Sequence, residues 1–165
     1  MKRIGITGGI GSGKSVVSQL LRVMGYPVYD TDSEAKRLMN TSPGLKAQIA
    51  EAFGSDVYDG SGVLNRALLA SRVFGQADCV ARLNAIVHPA VRQDFFRWSR
   101  SLKDSVCFVE SAILYESHFD ELVDEVWVVA APEEQRVERV RQRSGLSAEE
   151  VKRRMASQLP ETEKR

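Results

Sequence analysis

Eight consecutive residues, Gly8-Gly9-Ile10-Gly11-Ser12-Gly13-Lys14-Ser15, carry glycine, lysine and a hydroxyl at the G-x-x-x-x-G-K-[ST] spacing that cradles phosphate groups. Glycine opens backbone angles closed to other residues, so successive N–H groups can turn toward one anion at the positive end of a following helix. Lys14 adds a mobile positive charge toward the β and γ oxygens. Ser15 offers its hydroxyl to a magnesium ion bridging the same phosphates. The pattern predicts a nucleoside triphosphate site with contacts at Gly9, Ile10, Gly11, Ser12, Gly13, Lys14, Ser15 and Val16.

Carboxylates supply the second kind of chemistry. Asp30-Thr31-Asp32 follows a short apolar run, Pro27-Val28-Tyr29, and on an extended chain both acids point to one side. A hydroxyl that attacks a phosphoryl group must lose its proton, and Asp32 is the candidate base. The same residues read equally as a helix start, because Thr31-x-x-Glu34 fits a capping box and Asp32 would favour the first turn through the helix dipole. Glu110 closes another apolar run, Val106-Cys107-Phe108-Val109, where an acid can hold a magnesium-bound water or simply face solvent. Ser15 and Glu110 are the metal candidates.

Arginines supply the third. Arg136, Arg139 and Arg143 recur three and four residues apart, so they share a helical face, while Val137 and Val140 point to a core. Such a face can close over a triphosphate and stabilise the transferring phosphoryl, or it can be a solvated basic surface paired with glutamates.

The elements that must position these groups alternate. Ile4 to Thr7, Val106 to Val109 and Val126 to Ala131 read as strands buried on both faces, with Val28 as the centre of a weaker one. Helical patterns lie between them, giving the order β-α-β, a long helical insertion, then β-α-β-α. This is an α/β chain with an open parallel sheet. Val16, Val17, Leu20, Leu21 and Met24 give the first helix an apolar face, which Gly25 ends. Residues 34 to 103 hold several helices with no strand signal. His88-Pro89 interrupts one pattern, Pro89 suiting the first position of a new helix with His88 at its cap. A last helical hairpin spans 133 to 160: Pro132, Glu133 and Glu134 open it, Gly145 separates its halves, and Ser147-x-x-Glu150 caps the second. Trp98 and Trp127 read as packing residues.

Bulk properties narrow the partners. A chain of 165 residues suits one domain with a real core, and 23 basic against 22 acidic residues give no call for nucleic acid or an anionic membrane. A small molecule is the expected partner, and the chain is expected to be a monomer or a weak oligomer. Two isolated cysteines, Cys79 and Cys107, build neither a disulfide framework nor a metal site, and the few apolar residues after Met1-Lys2-Arg3 are too few for a signal peptide. A cytoplasmic setting fits.

Taken in order, these motifs resemble dephospho-coenzyme A kinases along nearly the whole chain. The matching set is Thr7 to Ser15, Asp30-x-Asp32, His88-Pro89, Glu110 with Ile113-Leu114-Tyr115-Glu116, Gln135 with Arg139, Arg143, Gly145, Leu146 and Ser147, then Arg154 and Gln158. The resemblance implies a P-loop kinase core at about 1–33 and 104–132, a helical acceptor-binding insertion at about 34–103 and a helical lid at about 133–160. It implies transfer of the γ-phosphoryl of ATP to the ribose 3′-hydroxyl of dephospho-coenzyme A. Asp32 would be the base, with Asp32, His88, Glu110 and Glu116 facing the acceptor. Lys14, Ser15, magnesium, Arg139 and Arg143 would manage phosphate charge. Two departures accompany it: Ala112 stands where the family commonly has proline, and family members continue beyond Arg165 into a strand and helix that help enclose adenine, so a shortened chain is expected. The alternatives are a shikimate-type kinase, whose Gly-Gly-Gly acceptor loop is missing here, a nucleoside monophosphate kinase, and a nucleotide-gated switch, whose Asn-Lys-x-Asp motif is missing.

Overall fold

The computed structural model describes residues 1–164. In chain order its strands are β1 (Lys2–Thr7), β2 (Val28–Asp30), β3 (Val106–Glu110) and β4 (Glu125–Val128). Its helices are α1 (Lys14–Val23), α2 (Thr31–Thr41), α3 (Pro43–Phe53), α4 (Arg66–Val73), α5 (Ala77–Ser101), α6 (Glu133–Ser144), α7 (Ala148–Ala156) and the short α8 (Glu161–Lys164). They form two compact units, one made of Met1–Asp30 with the chain from Ser101 on, the other of Thr31–Arg100.

The first unit is an α/β layer around a parallel sheet in the order β2-β3-β1-β4. β1 and β3 hold the middle, and their apolar runs are buried as a central strand requires. Ile4, Ile6, Leu21 and Phe108 make the core, with Val17, Val28, Val106 and Val129 packed around them. The register pairs Asp30 with Glu110, Ile6 with both Glu110 and Trp127, and Thr7 with Val128. The carboxyl ends of all four strands therefore share one rim, where ligands bind in open parallel sheets.

Three expectations for this unit need correction. β4 is an edge strand whose residues alternate between exposed and half-buried; it stops at Val128, and Val129 adds only one further N–H bond to the Thr7 carbonyl. Residues between β3 and β4 form turns and a single 3₁₀ turn, Asp120–Leu122, in place of a crossover helix. On α1 the apolar arc is wider than the core it meets. Leu21 is buried, whereas Val16, Leu20 and Met24 stand on the surface.

The second unit is helical. Leu38, Leu45, Ile49, Phe53, Leu69, Val91 and Phe95 are among its buried residues. Ser42 caps α3 by accepting from the Leu45 N–H, and Asn65 caps α4 in the same way through Leu68. The glycine-rich stretch between them is a hairpin turn: Asp59 accepts from the Ser61 and Val63 N–H groups, and an isolated antiparallel bridge joins Tyr58 to Leu64. α5 runs unbroken through Pro89, so His88 lies within a helix and caps nothing. Proline there forfeits one backbone bond and crowds the preceding turn, at a cost of roughly 3 kcal/mol. The helix persists because Val87, Val91, Phe95 and Ser99, each four residues apart, bury one continuous stripe on both sides of that position.

Candidate functional site

β1 delivers the chain at the sheet rim, and the glycine loop turns it into α1. The Ser12 N–H closes a turn on the Gly9 carbonyl at 3.0 Å. Gly11 and Gly13 hold φ of 78° and 102°, values that a side chain resists. Gly13 is the N-cap of α1; no side chain caps this end, and its first turn carries no acid. The positive end of the helix dipole therefore faces the loop with no acid in its own first turn. Lys14 and Ser15 open the helix, and Val16 beside them is 74% exposed.

Glu110, at the end of β3, is buried, and its Oε1 accepts from the Ser15 hydroxyl at 3.0 Å. The two metal candidates thus lie side by side, hydroxyl against carboxylate. Among the described residues no group of three or more His, Cys, Asp or Glu could hold a metal unaided. A hard cation that takes one or two protein oxygens and shares the rest of its shell with phosphates and water suits this pair.

The α6–α7 hairpin forms as expected. Gly145 ends α6 in the left-handed conformation, and a reciprocal capping box between Ser147 and Glu150 starts α7. The Ser147 backbone N–H, then its hydroxyl, hold the Glu150 carboxyl below the usual carboxylate range. Val137, Val140 and Val151 form the hairpin's own core, and Ile10 of the glycine loop packs against it with Leu146 and Met155.

The three arginines of the shared face differ in what they touch. Arg139 reaches the Gly11 and Ser12 carbonyls at 3.2 and 3.3 Å. Arg136 donates to the Ile10 carbonyl at 3.0 Å and pairs with Glu161, also at 3.0 Å, with only 11% and 15% of the two side chains exposed. Arg143 stands exposed on the last turn of α6. The Ile10, Gly11 and Ser12 carbonyls need donors, and α6 supplies them. The Ile10 N–H is donated to Gln158 Oε1 at 3.2 Å.

Glu116 is engaged by protein. Its Oε1 accepts from the Leu159 N–H at 2.9 Å and lies 3.7 Å from the Lys164 ammonium, which itself donates to the Ala112 carbonyl at 2.7 Å. Only a family resemblance points to Gln158, and no motif in the sequence points to Glu161 or Lys164. All three act across more than twenty residues of chain, and no local pattern marks such contacts.

An open cavity of about 650 Å³ in the first unit is lined by Arg136, Lys152, Met155, Gln158, Leu159 and Glu161 among others. In the second unit a cleft of about 530 Å³ lies against Ser42, Leu45, Gln48, Ile86, Pro89 and Gln93. Asp32 also belongs to that unit, exposed in the first turn of α2. The extended Asp30-x-Asp32 geometry is corrected here, because helix begins at Thr31 and the two acids no longer alternate as on a strand. His88 is half-buried on α5.

The sequence model of one family, dephospho-CoA kinase, matches residues 2–165. Among curated proteins, a dephospho-CoA kinase of Porphyromonas gingivalis is 48% identical over 96% of this chain and 78% of its own length. One from Bacteroides fragilis is 46% identical over 98% of this chain and 79% of its own length. A solved structure from Thermus thermophilus superposes with a TM-score of 0.84 at 40% identity, covering 99% of this chain and 83% of that one. The dephospho-CoA kinase of Campylobacter jejuni superposes with a TM-score of 0.71 at 26% identity over 99% of this chain and 84% of its own.

Proposed function

The chain belongs to the dephospho-CoA kinase family, and from that premise we propose how its residues divide the work. The reaction is phosphorylation of dephospho-CoA at the ribose 3′-hydroxyl, which gives CoA in the last step of its biosynthesis. ATP is the donor in this reading and Mg²⁺ its companion. The acid-free, uncapped start of α1 behind Gly11 and Gly13 is the observation that carries the phosphate assignment.

Gly9 to Val16 surround the triphosphate, with Lys14 on the β and γ oxygens. Ser15 and Glu110 would hold the metal, which would supply positive charge against the phosphates. The acceptor's 3′-oxygen attacks the γ-phosphorus, the bond from phosphorus to the β,γ-bridging oxygen breaks, and ADP departs. The hydroxyl proton passes to the Asp32 carboxylate, exposed in the first turn of α2. Arg139 and Arg143 stabilise charge on the transferring group. The long contacts of Arg139 to loop carbonyls are consistent with a guanidinium that can turn to a phosphoryl oxygen. The unit Thr31–Arg100 receives the acceptor, with His88 and the cleft beside Pro89 as its candidate surface. Glu116 supports the segment after α7 through the bond it accepts from the Leu159 N–H.

Among the described residues no helix is long and apolar enough to cross a membrane, and both cysteines are free. A cytoplasmic enzyme is our reading, from the biosynthetic kinase family and the chain's two free thiols.

The test is ADP release from Mg-ATP with dephospho-CoA, shikimate, AMP or no acceptor, with product identity fixed by phosphorus NMR. Turnover confined to dephospho-CoA, with the new phosphate on the 3′-oxygen, is expected. Equal slow hydrolysis under every condition would replace the kinase reading with that of a nucleotide switch.

A further inference from the structure

Ile10 is gripped from three directions, and none of the grips comes from the loop itself. Its side chain packs on the hairpin core of Val137, Val140 and Val151. Its N–H is donated to Gln158 Oε1 at 3.2 Å, and its carbonyl accepts from Arg136 Nε at 3.0 Å. The two polar contacts fix successive peptide planes on either side of the Ile10 Cα, which together set its φ and ψ. The residues on the far side are themselves braced. Glu161 holds the Arg136 guanidinium in a half-buried pair, and a Cβ on Gly9 would run into that guanidinium. Gln158 follows the end of α7, its N–H on the Met155 carbonyl, and the next residue, Leu159, donates to Glu116 Oε1.

We infer that Gln158 is a positioning residue of the phosphate loop: with the Arg136–Glu161 pair it fixes the Ile10 peptides, so that the chain after α7 sets the loop's shape and thereby its grip on the nucleotide. A loop of four glycines among eight residues pays a large conformational entropy when it orders around an anion. Two hydrogen bonds and an apolar anchor at its centre impose part of that order before the ligand arrives, which raises affinity by preorganisation. Gln158 touches no reacting atom in this account; it acts through Ile10. Its loss should appear in nucleotide affinity and leave the chemical step nearly alone. The inference rests on the proposed nucleotide role of the loop.

The experiment compares wild type, Gln158→Met and Glu161→Gln. Methionine keeps the length and removes the amide acceptor; the second variant removes the carboxylate charge that braces Arg136. In the protein without nucleotide, the Ile10 amide resonance of Gln158→Met should move to the upfield position of an amide that has lost its acceptor. Mg-ATP affinity should fall by about threefold to tenfold in each variant, the range for one lost hydrogen bond, with kcat within threefold of wild type. The double variant should lose less than the product of the two single losses, because both act on one residue. An Ile10 amide unmoved in Gln158→Met overturns the inference, and so does Mg-ATP affinity within twofold of wild type in both single variants. Failure of the wild-type protein to bind Mg-ATP would instead refute the nucleotide reading, while the Ile10 amide still decides the contact.

Discussion

Replacing Gly11 by alanine separates two costs that the loop combines. Its φ of 78° lies in the left-handed region, which costs a residue with a Cβ roughly 1–2 kcal/mol. A Cβ there would also lie 2.5 Å from the Arg136 carbonyl oxygen and 3.0 Å from the Arg136 carbonyl carbon and Cα. These are backbone atoms of α6, so relief requires the loop or the helix to move, at a typical overpacking cost of about 1–3 kcal/mol. The sum is about 2–5 kcal/mol, a large share of the roughly 5–15 kcal/mol that stabilises a domain. Gly145 provides the control in the same unit: its φ is 69°, with nothing within 4 Å of an added Cβ. Gly145→Ala should therefore lose about 1–2 kcal/mol from the conformational cost alone. Urea unfolding of both variants measures the difference, and Mg-ATP titration detects the other route, in which α6 yields and the loop loses its shape. If Gly11→Ala is no less stable than Gly145→Ala and also binds Mg-ATP within twofold of wild type, the close packing of α6 on the phosphate loop is refuted.

For Asp32→Asn, steady-state assays should show turnover lower by about 10²–10⁴-fold with Mg-ATP affinity within twofold, since only the transition state needs a base; an unchanged kcat removes Asp32 from that role. Arg139→Met should lower kcat by about 10²–10³-fold and leave dephospho-CoA affinity nearly intact; a loss confined to that affinity would assign Arg139 to acceptor binding. Glu150 is held below its unfolded pKa of about 4.3 by the Ser147 N–H, so its contribution is complete above that pH and disappears as pH falls through the lower folded value. The Ser147 amide shift should follow this acid titration in wild type and lose it in Glu150→Gln; the same titration in both would exclude the capping box as its cause. Burial raises the Cys107 thiol pKa, so an aromatic disulfide reagent should label Cys79 alone in the native protein and both cysteines in urea. Rapid labelling of two thiols without urea would contradict the buried strand.

What could be read from the sequence alone was whatever depends on neighbours along the chain. The glycine loop, the ends of α6 and α7 and the buried runs of β1 and β3 all follow from local φ/ψ demands, caps and hydrophobic period, and each stands where its residues predict. Local rules failed where packing outweighed them. Pro89 argues for a break, yet the buried stripe of α5 carries the helix past it. Val126 to Ala131 has the composition of a central strand, yet the sheet order leaves β4 at an edge. Asp30-Thr31-Asp32 carries two local readings, a strand pair and a helix start, and α2, beginning at Thr31, selects the second. The candidate site divides in the same way. Lys14, Ser15 and Glu110 are candidates by motif and strand position, whereas the separate contacts of Arg136 and Arg139 are invisible in their shared spacing. Only the fold brings Gln158, 148 residues away in sequence, within hydrogen-bond reach of Ile10. Sequence determines contacts that a turn of helix or a bend of loop can close; contacts that must await the docking of distant segments are decided by the tertiary structure, because no local conformational preference encodes their partner.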